Sequence, residues 1–117
     1  PWFEEHKDVV IAAWSSQGRG FFGSYPQFQP ENADAATRMA VLTPENFARK
    51  ERVISLAEQK NIRPSQISLL YVLSQKAAVA AIIGPRSCKD IDNVLSASKT
   101  RLTQEEIEYL TLKRNSL

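Results

Sequence analysis

Two stretches of this chain carry residues that could do chemistry, and each follows an apolar run. In the first, Ala77-Ala78-Val79-Ala80-Ala81-Ile82-Ile83 leads into Gly84-Pro85-Arg86-Ser87: a backbone break, a base and a helix-capping serine. A helix begun at Ser87 has first-turn amides with no intrahelical acceptor, and its dipole favours negative charge at that end. Phosphate is the anion this combination suits, and Arg86 can give two parallel hydrogen bonds to its oxygens. The plainer alternative is that Ser87 only caps its helix and Arg86 is solvated; Ser87 can do both. The second stretch, Ser15-Ser16-Gln17-Gly18-Arg19-Gly20-Phe21-Phe22-Gly23-Ser24-Tyr25-Pro26, is too punctuated for regular structure and reads as a long loop leaving a strand. Glycines there let backbone amides approach an anion, although an ordinary surface connection has the same composition.

Other reactive side chains carry less. His6 is the single histidine and reads as a solvated surface residue rather than a general acid or base. Cys88, the single cysteine, excludes an internal disulfide; a helix's first turn can acidify a thiol, but a lone cysteine reads as inert. Trp14 could line a site or belong to a wall, and the Phe21-Phe22 pair reads as packing. No catalytic set and no metal-ligating set is expected in this chain.

The elements that must position these groups follow from pattern and punctuation. Near-continuous apolar runs over residues 8–14 and 77–83 predict two strands buried on both faces of a parallel sheet. Thr43 as N-cap, Pro44 at the first helical position and Glu45 in the first turn predict a helix over 44–61, with Phe47, Val53, Ile54, Leu56 and Ala57 inward. Arg63-Pro64 opens a second helix over 64–75, whose buried face is Ile67, Leu70, Tyr71 and Leu73. Ser87 and Asp90 form a short, imperfect capping box for a helix over 87–98, while Thr103 with Glu106 is a full one for a helix over 103–113. Residues 27–42 look irregular apart from one helical turn near 35–39, and residues 2–6 read as a helix tail or loop. Strand, helix pair, strand, helix, helix is an α/β order with a parallel sheet, and two strands alone do not make a stable one.

Composition sets the outer bounds. A chain of 117 residues, 43% hydrophobic and 24% charged, is one globular domain's worth of sequence. Its net charge of +2 comes from bases interspersed with acids, which argues against a nucleic-acid partner. No apolar run is long enough to span a membrane and no signal peptide is visible, so a reducing, cytoplasmic setting is expected. The chain opens on Pro1-Trp2-Phe3 without methionine, and the expectation is a fragment of a longer protein, with a processed mature protein as the alternative.

Four segments together resemble the aldo-keto reductase family. Ala13-Trp14-Ser15-Ser16-Gln17-Gly18-Arg19-Gly20-Phe21-Phe22 is similar to its seventh-strand segment A-Y-S-P-L-G-R-G-L-L, and Ile82-Ile83-Gly84-Pro85-Arg86-Ser87 to its eighth. Arg63-Pro64-Ser65-Gln66-Ile67-Ser68-Leu69-Leu70-Tyr71-Val72-Leu73 resembles the T-P-A-Q-V-A-L-A-W-L-L between them, and Arg101-Leu102-Thr103-Gln104-Glu105-Glu106 the L-S/T-x-E-E after them. Each motif alone is weak, but four in the family's order are specific together. The resemblance spans essentially residues 1–117. It implies the C-terminal part of a parallel (β/α)8 TIM-type barrel, a fold of about 250 residues.

The resemblance further implies NAD(P)-dependent reduction of a small carbonyl substrate in the complete enzyme. The family's catalytic Asp, Tyr, Lys and His belong to earlier strands, so the isolated chain is expected to be inactive. Ser15, Gln17, Gly18 and Gly20 would lie over the cofactor pyrophosphate, and Gly84, Pro85, Arg86 and Ser87 at the adenosine end, including the 2′-phosphate when the cofactor is NADP rather than NAD. Asp90 stands where several members place a base against that phosphate, and its charge would repel it. Val94 stands where many have an adenine-holding asparagine, with Asn93 one place earlier and about 100° away around a helix. Ser16 and Gln17 replace the usual Pro-Leu. The alternative reading is a small non-catalytic α/β binding or assembly module, with homo-oligomerisation as a way to complete its sheet.

Overall fold

The computed structural model describes residues 2–23 and 28–117. Pro1, and Ser24, Tyr25 and Pro26 of the predicted loop together with Gln27 after it, lie outside the described residues. A short helix α1 (Trp2–Glu5) precedes strand β1 (Ile11–Ala13), which pairs in parallel with β2 (Val79–Ala81). Ile11 stands opposite Val79 and Ala13 opposite Ala81, and the ends are tied by Ile11 N donating to Ala78 O at 2.8 Å and Ile82 N to Ala13 O at 2.9 Å. Paired backbone is thus confined to three residues in each strand, against seven expected for 8–14 and 77–83. Among the described residues each strand has a single partner, and a two-stranded ribbon twists strongly enough to part its ends.

The expectation of strands buried on both faces is also corrected. Ile11, Ala13, Val79 and Ala81 are half-buried, whereas the alternate residues Val10, Ala12, Trp14, Ala80 and Ile82 are exposed, Trp14 by 84%. Helices cover one face of this sheet and leave the other bare, so the strand period of two becomes visible in burial although the residue types do not alternate.

Between the strands run α2 (Ala35–Val41), α3 (Pro44–Lys60) and α4 (Pro64–Leu73); α5 (Cys88–Ala97) and α6 (Gln104–Leu110) follow β2. Local chemistry sets most of these limits. The Thr43 hydroxyl accepts from Asn46 N at 3.2 Å, and α3 stops where Asn61 turns left-handed with φ 52°. At α6, Thr103 and Glu106 complete the expected capping box. That helix ends at Leu110 and not near 113, because Leu112 adopts φ 65° and Lys113 N reaches back to Glu108 O at 2.9 Å.

Helix α4 is the centre of the molecule. It packs against α3, α5 and β2, while α6 packs on α3. Because it has neighbours on several sides, five consecutive residues, Gln66, Ile67, Ser68, Leu69 and Leu70, are buried, more than the single stripe its apolar spacing predicts. Val53, Leu56 and Ala57 from α3, Ala97 from α5, and Leu102 and Leu110 close the core around it. The two buried polar side chains of α4, Gln66 and Ser68, are both hydrogen-bonded, and Gln66 lines the candidate site.

Candidate functional site

The segment after β1 is a run of tight turns. Ser15, Gly18, Arg19 and Gly20 all have positive φ, from 53° to 88°, and Gly18 N, Gly20 N and Phe21 N each donate three residues back. Phe21 pins this coil from beneath: it is fully buried, with the rings of Phe22, Phe28 and Phe47 edge-on at 5.0–5.5 Å and the Lys50 ammonium 4.8 Å from its centre. The reading of Phe21 as packing therefore holds. Helix α4 fixes the other side, where Ser68 Oγ donates to Ser16 O at 3.2 Å and Gln17 Nε2 to Ser65 O at 3.4 Å.

Arg19 turns the opposite way. Its guanidinium donates to Thr37 Oγ1 at 2.5 Å and lies 3.5 Å from Asp34 Oδ2, so the coil is fastened to the start of α2. The Thr37 amide and hydroxyl, with the Arg19 charge in support, hold the Asp34 carboxyl below the usual carboxylate range. A depressed folded pKa contributes stability above the unfolded value that is lost as pH falls through the folded one. Acidification below about pH 4 is therefore expected to weaken the Asp34 cap of α2 and its pairing with Arg19, both of which neutral solutions keep. Carboxyl NMR titration of Asp34 checks this, and a midpoint at or above that of an unstructured aspartate would overturn it.

The segment after β2 closes on itself in a similar way. Ser87 Oγ accepts from Asp90 N at 3.2 Å, and Asp90 Oδ2 accepts from Arg86 N at 3.1 Å, so the acid at 90 braces the turn that leads into α5. Among the described residues the Cys88 and Lys89 amides have no hydrogen-bond partner, as expected for a helix's first turn. Gln66 links α4 to this helix: its Oε1 accepts from Arg63 N at 2.8 Å, and its Nε2 donates to Asn93 O at 2.9 Å and Ser96 Oγ at 3.0 Å.

These pieces enclose an open cleft of about 450 Å³. Of the predicted site residues, Ser15, Gln17, Gly20, Gly84, Pro85, Arg86 and Asp90 line it, brought together from both ends of the chain. Gly18 and Ser87 do not; the first shapes the coil and the second caps α5. Asn93 and Val94 both border the cleft, so the one-residue offset does not remove Asn93 from it. Ring exposure makes Trp14 part of the lining as well. Among the described residues no group of three or more His, Cys, Asp or Glu comes together, and no helix is long and apolar enough to cross a membrane.

Residues 3–114 match the aldo/keto reductase family. The chain belongs to that family. It is 29% identical over 117 aligned positions to "Probable aldo-keto reductase 1" of Glycine max, covering 87% of this chain and 31% of the relative. It is 28% identical over 107 positions to "Aldo-keto reductase str7" of Strobilurus tenacellus, covering 85% and 31%. "Norsolorinic acid reductase A" of Aspergillus parasiticus is 27% identical over 106 positions, covering 91% and 26%. The chain thus spans between about a quarter and a third of the length of the curated relatives it matches. Membership in the aldo/keto reductase family implies a (β/α)8 barrel, and the α/β arrangement with its parallel pair β1–β2 is consistent with a piece of one.

Sequence reasoning passed over Arg19, Arg63, Ser65 and Gln66, all of which line the cleft. The motif reading placed them on helix or loop backbone, where only their local role was visible. Their shared location depends on the contact of α4 with the first coil, which no short-range pattern encodes.

Proposed function

We propose that this chain is the dinucleotide-gripping C-terminal part of an NAD(P)-dependent carbonyl reductase barrel, with the acid and base residues of the reaction on the strands that precede it. The observation that carries this reading is the charge of the cleft. Its ionisable lining is Arg19, Arg63, Arg86 and Asp90, and the one acid already accepts a backbone amide. A chain whose charge is otherwise nearly balanced sets three arginines and a single acid around this cleft, which suits a ligand with several phosphate charges even though Arg19 also pairs with Asp34.

The bare sheet face supports the barrel reading. Parallel sheets are covered on both sides, and Val10, Ala12, Ala80 and Ile82 form the side on which further inward-pointing side chains of a barrel would pack. Met39 on α2 and Leu95 on α5 are also apolar and exposed, at 83% and 57%.

The residues present fit a dinucleotide. Arg86, the Cys88 and Lys89 amides and the turn at Gly84 would meet the adenosine end, while Ser15, Gln17 and Gly20 would meet the pyrophosphate. Bound, the group supplies the hydride for carbonyl reduction; this chain's residues bind it, orient it and exclude water from one side. NADP and NAD both remain within this reading, since Asp90 is occupied in bracing Arg86 N.

Gly84 gives the test. A Cβ added there meets nothing within 4 Å, so the fold does not require glycine at that position and a close ligand would. In the protein expressed from its complete reading frame, NADPH and NADH are expected to change Trp14 emission saturably. Gly84→Ala is expected to weaken that binding about tenfold with an unchanged melting temperature. No saturable change with either cofactor up to millimolar concentration would overturn the proposal.

A further inference from the structure

Arg63 stands where its own helix would prefer something else. It is the N-cap of α4, with extended backbone at φ −80° and ψ 147°, a position served by Ser, Thr, Asp or Asn because their oxygens accept first-turn amides. A guanidinium has no acceptor, and its charge is like-signed with the positive end of the helix dipole. The cap is completed without it: Gln66 Oε1 takes Arg63 N from the third helical position. The side chain makes no cap hydrogen bond to α4, and among the described residues it has no hydrogen-bond or ion-pair partner.

It does line the cleft, beside Ser65 and Gln17. The other bases there are engaged. The Arg19 guanidinium is held by Thr37 and Asp34, and Arg86, whose backbone amide donates to Asp90, is the base assigned above to the adenosine end. A residue that breaks a local rule while lining a site is what a binding role would produce. Resting on the dinucleotide reading above, we propose that Arg63 is a phosphate-binding residue of the cleft, the cation on the α4 side that answers the Gly84 turn on the α5 side. Its ligand group is a phosphate of the dinucleotide, either the pyrophosphate or a ribose phosphate.

Arg63→Thr separates binding from structure because the two effects have opposite sign. Threonine caps helices, so the melting temperature of the protein expressed from its complete reading frame is expected to rise by a few degrees. Affinity for the dinucleotide is expected to fall about tenfold, with a weaker dependence on salt concentration. Arg63→Lys, which keeps the charge but not the forked geometry, is expected to lose less. Equal losses for NADPH and NADH assign the contact to the pyrophosphate, and a loss confined to NADPH assigns it to the 2′-phosphate; both sustain the proposal. Unchanged affinity for both cofactors in Arg63→Thr would overturn it, as would a loss accompanied by lowered melting in Arg63→Thr and Arg63→Lys alike. Failure of the unaltered protein to bind either cofactor would instead remove the reading beneath it.

Discussion

Leu70→Ala is expected to lower the unfolding free energy of the chain by about 3 kcal/mol, within the usual range of roughly 2–5 for truncating a buried leucine. Leu70 is fully buried at the middle of α4, the helix on which α3, α5 and β2 all converge. Removing its isobutyl group loses the transfer free energy and leaves a cavity bounded by several elements, none of which can collapse into it without parting from another neighbour. In a domain of this size that corresponds to a melting temperature lower by about 10–20 °C. The control is Leu95→Ala: at 57% exposure it should cost under about 0.5 kcal/mol in this chain. Urea unfolding of the three proteins decides the matter, and a loss at Leu70 below about 1 kcal/mol would contradict the central role given to α4.

Gly18→Ala is the second large effect, expected at about 2 kcal/mol or more with a matching loss of dinucleotide affinity. Two independent costs fall on the one methyl group. The backbone at φ 58° is left-handed, which an L-residue enters at about 1–2 kcal/mol. The new Cβ would also lie 2.6 Å from Cδ2 of Phe22, whose ring is packed edge-on at 5.0 Å against the buried Phe21. Displacing that ring disturbs the plug on which the whole coil sits, and with it the positions of Gln17 and Gly20. The contrast with Gly84 is the informative part. One glycine is required by the fold and the other is not, so Gly18→Ala should lower both melting temperature and binding, and Gly84→Ala binding alone. Wild-type stability in Gly18→Ala would show that the coil can rearrange at no cost.

How much of this was legible beforehand depends on the range of the forces involved. Thr43, Pro44, Ser87, Thr103 and Glu106 act on amides within three positions, so the helix starts could be read from the chain within about a residue. Asp34 as the cap of α2 escaped notice because no apolar period follows it: only Thr37 of that helix is buried. The end of α6 was overestimated for a related reason. Nothing in a leucine announces a left-handed conformation, and the bond from Lys113 to Glu108 that accompanies it is a property of the folded turn.

The sequence by itself determined the α/β order, the caps of α3, α5 and α6, the two loops that leave the strands and the family to which the chain belongs, because all of these are written in neighbouring residues or in motifs of a few positions. Only the tertiary structure decided that the sheet is bare on one face, that α4 is buried nearly all round, and that Arg19, Arg63, Arg86 and Asp90 share one cleft. Those results rest on contacts such as Ser68 with Ser16 and Gln66 with Ser96, which join residues 52 and 30 positions apart. Side-chain periodicity tells a strand or helix which residues share a face, but only the elements packed against that face decide whether it meets protein, ligand or water.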